Sequence, residues 1–261
     1  MSKTEKEIAF LYGLYVENEW KPKFSAIFDE SFKPSKEETV LYVNAGAGDH
    51  ALVLREKLDK DTQLFAVCET LELQKIAQAK SDAIKADIDF STNLPFAESD
   101  LVVVDSSLVK PADLAGHIAE QVKLTKNEIA FFSTTSGSFG EIFSYLWEVL
   151  ADLDLLEKGD EVENLISELP SDLKIEETLK ELKLKKIKSK TKSEFFEFEN
   201  GEEFINSPLM QFFLFPIWLK FLDDKEKEQV IEKLAQKIDD EHDQLSFRFS
   251  VKATLTTASK S

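Results

Sequence analysis

Short runs of apolar residues alternate with longer amphipathic segments from Val40 to Phe132. The runs are nearly continuous in apolar residues, which is typical of parallel strands covered by helices on both faces. The segments between them repeat apolar residues at three- and four-residue spacing, as in helices that pack on a sheet. The pattern predicts an α/β domain with a mainly parallel sheet. The predicted strands are VLYVNA (40–45), QLFAVC (63–68), DLVVVD (100–105) and EIAFFS (128–133).

Beyond Thr134 the pattern becomes helical and later returns to strict alternation. Alternating β-type residues predict two further strands, and the segment between these strands is apolar at first and then amphipathic. We find no internal repeat or linker that would divide the chain. The predicted elements are helices over 140–156, 160–169 and 170–184, strands over 186–199 and 245–257, and an intervening apolar segment, 205–222, followed by a helix, 223–243.

Charge and cysteine content narrow the classes of partner. The net charge of −18, from 50 acidic and 32 basic residues, repels phosphate backbones and anionic lipids, so neither nucleic acid nor a membrane is expected as a partner. The single cysteine forms no intrachain disulfide, which favours the reducing cytoplasm. The N-terminus lacks a secretory signal, and prolines with a lysine interrupt the apolar segment 205–222, so no membrane span is predicted. The three histidines lack metal-ligand spacing, and we predict no metal site.

A glycine-bearing turn follows the first predicted strand and leads into a helix. Gly46 and Gly48 have no Cβ, so backbone N–H groups in this turn can approach a ligand at the positively polarised start of the helix. Turns between strands and helices also use glycine for geometry alone. The turn by itself therefore leaves a nucleotide site and a purely structural role open.

Three stretches, in order, resemble the class I S-adenosylmethionine-dependent methyltransferases that act on small molecules. The line VLYVNAGAG (40–48) is similar to the family's V-L-D-V-G-C-G-T-G. LFAVCETLELQKIAQAK (64–80) runs without a gap against the family's second strand and helix. ADIDFSTNLPFAESDLVVVDSSLV (86–109) matches its third and fourth strands, including the LPF element (94–96) and Asp100.

The resemblance implies a Rossmann-like methyltransferase fold. Its expected form is a mainly parallel seven-stranded sheet with a C-terminal antiparallel strand pair and helices on both faces. We expect one domain, 1–261, with an N-terminal helical cap (1–38), a cofactor-binding core (39–135) and a helical insertion or lid (200–242) between the last two strands.

The resemblance also implies S-adenosylmethionine as cofactor, bound at the carboxyl ends of the strands, where open α/β sheets place their ligands. The positions that match beneath the methionine and ribose are Asn44, Ala45, Gly46 and Gly48. Those beside the adenine are Asp87 and Ile88. Those at the methyl group and substrate are Asp105, Ser106 and Ser107.

Three positions depart from the family's pattern. Tyr42 replaces an acidic residue, Asn44 replaces the first glycine, and Cys68 falls where the ribose-binding carboxylate is expected. Glu69, one residue on, reaches ribose hydroxyls if the backbone turns it to the ligand side; the alternative is an exposed carboxylate at a helix start. Asparagine tolerates left-handed backbone angles, and Tyr42 either packs or supplies a hydroxyl.

Methyl transfer needs alignment of donor and acceptor and a site that excludes water, so a missing catalytic constellation excludes little. Where the acceptor must lose a proton, Asp105 and His50 are the candidate bases. The alternatives are a loop carboxylate for Asp105 and a first-turn helix residue for His50.

Two surface features are ambiguous in the sequence. Aromatic residues of the segment 205–222, with Tyr12, Tyr15 and Trp20, form either a lid over an apolar acceptor or ordinary core packing. The lysines of the segment 180–192 form either a solvated strand edge or a docking site for an acidic partner.

The sequence leaves three functional hypotheses. The first is methyl transfer from S-adenosylmethionine to a small molecule. The second is a non-catalytic methyltransferase-like binding or regulatory protein, favoured by the altered positions Tyr42, Asn44 and Cys68. The third, a nucleotide- or NAD-binding oxidoreductase, is disfavoured because the turn lacks a third glycine at the helix-packing position. Neither the acceptor nor the oligomeric state is predicted.

Overall fold

In the computed structural model, which describes residues 3–33, 37–242 and 246–260 apart from the side chain of His242, seven β-strands form one sheet. They are β1 (Thr39–Val43), β2 (Gln63–Val67), β3 (Asp89–Ser91), β4 (Ser99–Asp105), β5 (Thr125–Thr134), β6 (Lys185–Phe198) and β7 (Phe247–Ser259). Their order is β3-β2-β1-β4-β5-β7-β6, with β1 to β5 parallel and β7 antiparallel to both β5 and β6. The mainly parallel sheet and the C-terminal antiparallel pair are those that the sequence predicts. Leu245, the first residue predicted for the last strand, lies outside the described residues.

Helices cover both faces of the sheet. They are α1 (Glu5–Leu11), α2 (Lys21–Ser31), α3 (Asp49–Lys57), α4 (Leu71–Ile84), α5 (Leu114–Lys123), α6 (Gly140–Asp152), α7 (Gly159–Ser167), α8 (Asp172–Glu181), α9 (Gly201–Asn206), α10 (Phe215–Trp218) and α11 (Asp224–His242). A π-helix, Tyr12–Trp20, joins α1 directly to α2. The helix predicted to reach Leu184 ends at Glu181, because Lys183 adopts a left-handed φ of 64° before β6 begins.

The alternation of side chains along β1 places it at the centre of two cores. Val40 and Tyr42 belong to the larger core, while Leu41 and Val43 face a smaller one on the opposite side of the sheet. Helix α2 packs on the larger-core side across β5, β6 and β7, and α5 packs against β5. Burial of both faces explains why the strands are apolar throughout rather than alternating.

The segment between β6 and β7 packs most of its aromatic rings into the larger core. Phe204 and Trp218 are almost fully buried and meet Phe249 of β7 edge-on, at centroid distances of 6.2 and 6.5 Å. Core packing therefore accounts for these rings in this conformation. Within the described ranges, no helix is long and apolar enough to cross a bilayer.

The lysine-rich segment 180–192 runs from the end of α8 into β6, the outer strand of the sheet. Lys190 and Lys192 both bond to Glu30 at the end of α2. Lys185, Lys186 and Lys188 are exposed. Charged side chains along an outer strand oppose pairing with a second chain, so the solvated-edge interpretation agrees with this placement.

Asp100 fastens the start of β1 to β4. Its carboxylate accepts hydrogen bonds from the backbone N–H groups of Glu38 and Thr39, at 3.0 and 3.1 Å, and from the side chain of Asn127 at 3.0 Å. Lys126 lies 2.9 Å away. Lys126 and the two backbone donors outweigh the effect of burial and lower the pKa of Asp100.

We expect Asp100→Ala to lower the free energy of unfolding by about 2–3 kcal/mol, since it leaves backbone donors without their charged acceptor. Urea denaturation at neutral pH measures this loss. Because the pKa of the folded state lies below the ordinary value of 3.8, the contribution is present above that pH and disappears as pH falls through the folded-state pKa. Glu98→Ala, which removes an exposed partner of Lys260, is the matched control and should cost less than about 1 kcal/mol. Equal losses in the two variants would contradict this account of Asp100.

Candidate functional site

The turn after β1 holds three residues in left-handed backbone angles. The φ angle is 58° at Asn44, 60° at Gly46 and 87° at Gly48. Glycine, and among other residues asparagine, adopts such angles most readily, which explains how Asn44 is accommodated in this turn. At Gly48 an added Cβ would lie 2.9 Å from the Cβ of Ala77, so this glycine allows α3 to begin close against α4.

Gly46 brings the same turn against the N-terminal helical segment. A Cβ at this position would lie 2.2 Å from Oε1 of Glu17, 2.6 Å from Nζ of Lys21 and 2.7 Å from Cε1 of Tyr12. The Gly46 amide donates a hydrogen bond to Oε2 of Glu69 at 2.9 Å. Because Gly46 has no side chain, Tyr12, Glu17 and Lys21 of the N-terminal segment can approach this turn closely. Glu69, after β2, bonds to its amide.

After the end of β2, Cys68 points inward and Glu69 points toward the carboxyl end of the sheet. Cys68 is buried, and burial raises the pKa of its thiol to about 12. Glu69 is exposed and also accepts a hydrogen bond from the Tyr12 hydroxyl at 3.0 Å. Glu69 lines a cavity at this end of the sheet.

The residues after β4 form a second polar wall. Oδ1 of Asp105 accepts hydrogen bonds from the backbone N–H and the hydroxyl of Ser107, at 3.0 and 2.6 Å. Asn44 donates its side-chain amide to the Asp105 carbonyl at 2.9 Å, and the Trp20 indole donates to the Ser107 hydroxyl at 3.0 Å. The hydroxyl of Ser106 is buried and has no partner among the described residues.

A cavity of about 230 Å³ lies between these walls and the N-terminal segment. A narrow apolar cavity of about 30 Å³ adjoins it and shares Ser107, Leu108 and Val109. The narrow cavity has room for little more than a water molecule. The lining of the larger cavity is Tyr12, Asn44, Glu69, Asp105, Ser107, Leu108 and Val109.

Lys21 places a buried amine at the carboxyl end of the sheet. Its Nζ lies 3.3 Å from Oε1 of Glu17 and 3.4 Å from Oδ2 of Asp105. Burial by itself lowers the pKa of Lys21, but Tyr12, Glu17 and Asp105 outweigh it and raise the pKa well above its usual value. Burial raises the pKa of Glu17, and Lys21 opposes that rise. The amine is therefore protonated at neutral pH.

His50 lies in a hydrogen-bonded chain beneath α2. Its Nδ1 is 2.8 Å from the Tyr42 hydroxyl, and its Nε2 is 3.3 Å from Oδ1 of Asp29. Phe28 and Phe132 meet the ring edge-on. Both ring nitrogens are engaged inside the protein, and His50 is not among the residues that line the cavity. Tyr42 thus provides a hydroxyl to His50 as well as packing in the core.

The two residues matched to the adenine contacts differ in exposure. Asp87 is exposed, whereas Ile88 is buried. They precede β3, which pairs with β2 on the far side from β1. The cavity lining includes neither residue.

Sequence reasoning did not identify Glu17 and Lys21 as site residues, and it considered Tyr12 and Trp20 for a lid or for ordinary core packing. Tyr12 and Trp20 lie eight positions apart and form an apolar stripe together with Val16. Glu17 and Lys21, four positions apart, lie beside that stripe and are buried. An ion pair at this spacing next to an apolar stripe is the signal from which they could have been found.

No protein-family model matches this sequence, and no curated protein does either. Solved structures do resemble the chain. A putative methyltransferase from Bacillus halodurans has a TM-score of 0.56 at 13% identity, over 91% of this chain and 98% of that one. A methyltransferase from Geobacter sulfurreducens in complex with S-adenosyl-L-homocysteine has a TM-score of 0.56 at 10% identity, over 99% of each chain.

Phosphoethanolamine N-methyltransferase 2 from Haemonchus contortus, in complex with S-adenosyl-L-methionine, has a TM-score of 0.54 at 14% identity. That match spans 98% of this chain and 57% of the nematode protein. Identities this low establish the fold alone. The predicted resemblance is therefore confirmed as a Rossmann-like methyltransferase fold, with its mainly parallel seven-stranded sheet and antiparallel C-terminal pair.

Proposed function

We propose that the edge of the sheet above Gly46 binds S-adenosylmethionine and that the protein transfers its methyl group to a small molecule. One observation carries the proposal. Asn44, Glu69 and Asp105, at or just after the ends of three parallel strands, line one cavity, and the Gly46 amide bonds to the Glu69 carboxylate beside it. The carboxyl ends of parallel strands are where open α/β sheets bind their ligands.

The chemistry of these groups suits the cofactor. A carboxylate such as Glu69 accepts hydrogen bonds from the two hydroxyls of a ribose, and the negative charges of Glu69 and Asp105 complement a sulfonium. When bound, S-adenosylmethionine supplies an electrophilic methyl group. The cavity of about 230 Å³ is smaller than most ligand pockets, which begin at about 300 Å³, because N-terminal side chains fill the space over Gly46. The donor set fits the cofactor, and the open volume admits only part of it.

We assign Asn44, Ala45 and Gly46 to the methionine end of the cofactor and Asp87 with Ile88 to the adenine. Gly48 serves the same site indirectly, by letting α3 begin against α4. Between the candidate bases, Asp105 lines the cavity and His50 does not, which favours Asp105 for any proton that the acceptor must lose. Ser107 fixes the orientation of the Asp105 carboxylate through its two hydrogen bonds.

A non-catalytic binding or regulatory protein is the second candidate. The observation that favours it is the occupation of the space over Gly46 by Glu17, Lys21 and Tyr12. A scaffold that no longer binds a cofactor retains the sheet and has no need of that space.

Calorimetric titration with S-adenosylmethionine tests the proposal. We expect a micromolar dissociation constant for the natural chain, and Glu69→Ala should weaken binding by at least about tenfold, which is the loss of about 1.4 kcal/mol. Asp87→Ala should also weaken it. Glu72→Ala removes a half-buried carboxylate that pairs with Lys75 on the same helix, α4, and it is the control that should leave binding unaltered. Absence of binding at millimolar cofactor, both to the natural chain and to a variant that lacks charged side chains over Gly46, would refute the enzyme hypothesis in favour of the scaffold.

A further inference from the structure

The N-terminal segment presents three polar side chains to the turn above which the cofactor is proposed to bind. Tyr12, Glu17 and Lys21 are all buried, and each would collide with a Cβ at Gly46. The close approach that glycine permits is therefore used by side chains of the chain itself. We call these three side chains the N-terminal occupant.

Two members of the N-terminal occupant, Tyr12 and Lys21, bond to residues that the proposed function assigns to the cofactor, and the third, Glu17, bonds to the same turn. The Lys21 ammonium donates to the Asn44 carbonyl at 3.0 Å and lies near Asp105. The Glu17 carboxylate accepts from the Ala47 amide at 2.7 Å. The Tyr12 hydroxyl donates to the Glu69 carboxylate at 3.0 Å. The Asn44 carbonyl, the Ala47 amide and the Glu69 carboxylate are thus paired from within the protein. The pairs are Lys21 with Asn44 and Asp105, Glu17 with Ala47, and Tyr12 with Glu69.

The chemical types of these three side chains correspond to those of the cofactor. S-adenosylmethionine carries cationic groups, a carboxylate and ribose hydroxyls, and the N-terminal occupant offers an ammonium, a carboxylate and a hydroxyl. The backbone N–H groups and carboxylates of the site can bond either to the polar groups of the cofactor or to those of the N-terminal occupant. The two sets cannot share the space over Gly46, because atoms of the occupant already lie within contact distance of that glycine.

We propose that the N-terminal occupant is an internal competitor of the cofactor, so that S-adenosylmethionine binds only when residues 12–21 withdraw from Gly46. This inference rests on the proposed function of the site. The π-helical winding of Tyr12–Trp20 gives this segment a way to move. π-Helical turns are rare in proteins, and those that occur are often found at functional sites. Rewinding this segment to α-helical geometry changes the direction in which Glu17 and Lys21 point.

The competition predicts a specific effect on affinity. The apparent dissociation constant of a ligand rises in proportion as the binding-competent state becomes rarer. Glu17→Ala/Lys21→Ala removes both charges together and takes away two of the three side chains that lie over Gly46. In calorimetric titrations with S-adenosylhomocysteine, this double variant should bind at least about tenfold more tightly than the natural chain. Lys23→Met, which removes an α2 lysine paired with Glu194 away from the turn, is the matched control and should not change affinity.

A second measurement uses the natural chain and does not depend on a variant folding. Addition of S-adenosylhomocysteine should accelerate hydrogen exchange at the backbone amides of residues 12–20, because the segment leaves its packed position. Slower exchange would overturn the inference, since it means that the segment closes over the ligand.

The binding results separate this inference from the function on which it rests. Unchanged affinity in the double variant would overturn the competition, and weaker affinity would make Glu17 and Lys21 cofactor contacts; in both cases the proposed function stands. Absence of binding to the natural chain and the double variant alike would refute the proposed function, and the competition with it.

Discussion

Gly46→Ala is expected to lower the free energy of unfolding by about 4–7 kcal/mol and to abolish cofactor binding. A left-handed φ of 60° costs an alanine about 1–2 kcal/mol. The new Cβ also displaces the tips of Glu17 and Lys21, and separating a buried ion pair from its partners costs about 3–5 kcal/mol. The tips can move, but the movement breaks the contacts with Ala47 and Asp105. Thermal denaturation followed by circular dichroism should show a decrease in Tm on the order of 10 °C.

Gly116→Ala is the matched control for this substitution. Gly116 lies within α5, and an added Cβ meets no atom within 4 Å. Alanine favours a helix over glycine by about 1 kcal/mol, so this variant should be slightly more stable than the natural chain. A Gly46→Ala protein as stable as the natural chain would mean that the N-terminal segment does not pack on the turn.

Lys21→Met is expected to cost about 3–5 kcal/mol, because it leaves Glu17 beside Asp105 in a buried site without the opposing charge. Methionine conserves most of the volume, so the loss reports charge rather than packing. Glu17→Gln/Lys21→Met should recover much of it, since it removes one of the two uncompensated carboxylates. Urea denaturation of the two single variants and the double variant gives the coupling energy between these residues. Additive losses would contradict a coupled buried pair.

The pH dependence of stability gives an independent signature of the same pair. Burial raises the pKa of folded-state Glu17 above its ordinary value of 4.5. Above that pH the folded state therefore holds its proton more tightly than the unfolded state does, and the free energy of unfolding falls as pH rises through the folded-state pKa. Lys21→Met removes the charge that opposes this rise, so the decrease should extend to higher pH. Glu17→Gln should eliminate it.

The mainly parallel strands follow from local sequence, and the antiparallel arrangement of the C-terminal pair follows from the family resemblance. Four continuous apolar runs can be buried on both faces only in a covered, parallel sheet, and the alternation in β6 and β7 predicts the different C-terminal strands. The helix after Pro170 was predicted too long, because nothing in its periodicity indicates the left-handed angle at Lys183. Element ends depend on single backbone angles, whereas element types depend on many residues.

The candidate site was only half accessible to such reasoning. Asn44, Glu69 and Asp105 lie at strand ends or within two residues of them, so topology alone brings them together. Glu17 contacts the turn at Ala47 across 30 positions of the chain and Lys21 contacts it at Asn44 across 23, and a local pattern contains no information on such distances. His50 adjoins the turn in sequence, yet the first turn of α3 directs it to Tyr42 and Asp29. Proximity in sequence and proximity in the site are therefore different quantities here.

Cys68 lies directly beneath this edge of the sheet, next to Glu69, and it is the single cysteine of the chain. A buried thiol with a pKa of about 12 is scarcely ionised at neutral pH, and the thiolate is the form that alkylating reagents attack. Each molecule can therefore be labelled only once, and only while the end of β2 is open to solvent. The rate at which Cys68 is alkylated therefore reports the opening of the carboxyl end of β2, where the cofactor is proposed to bind.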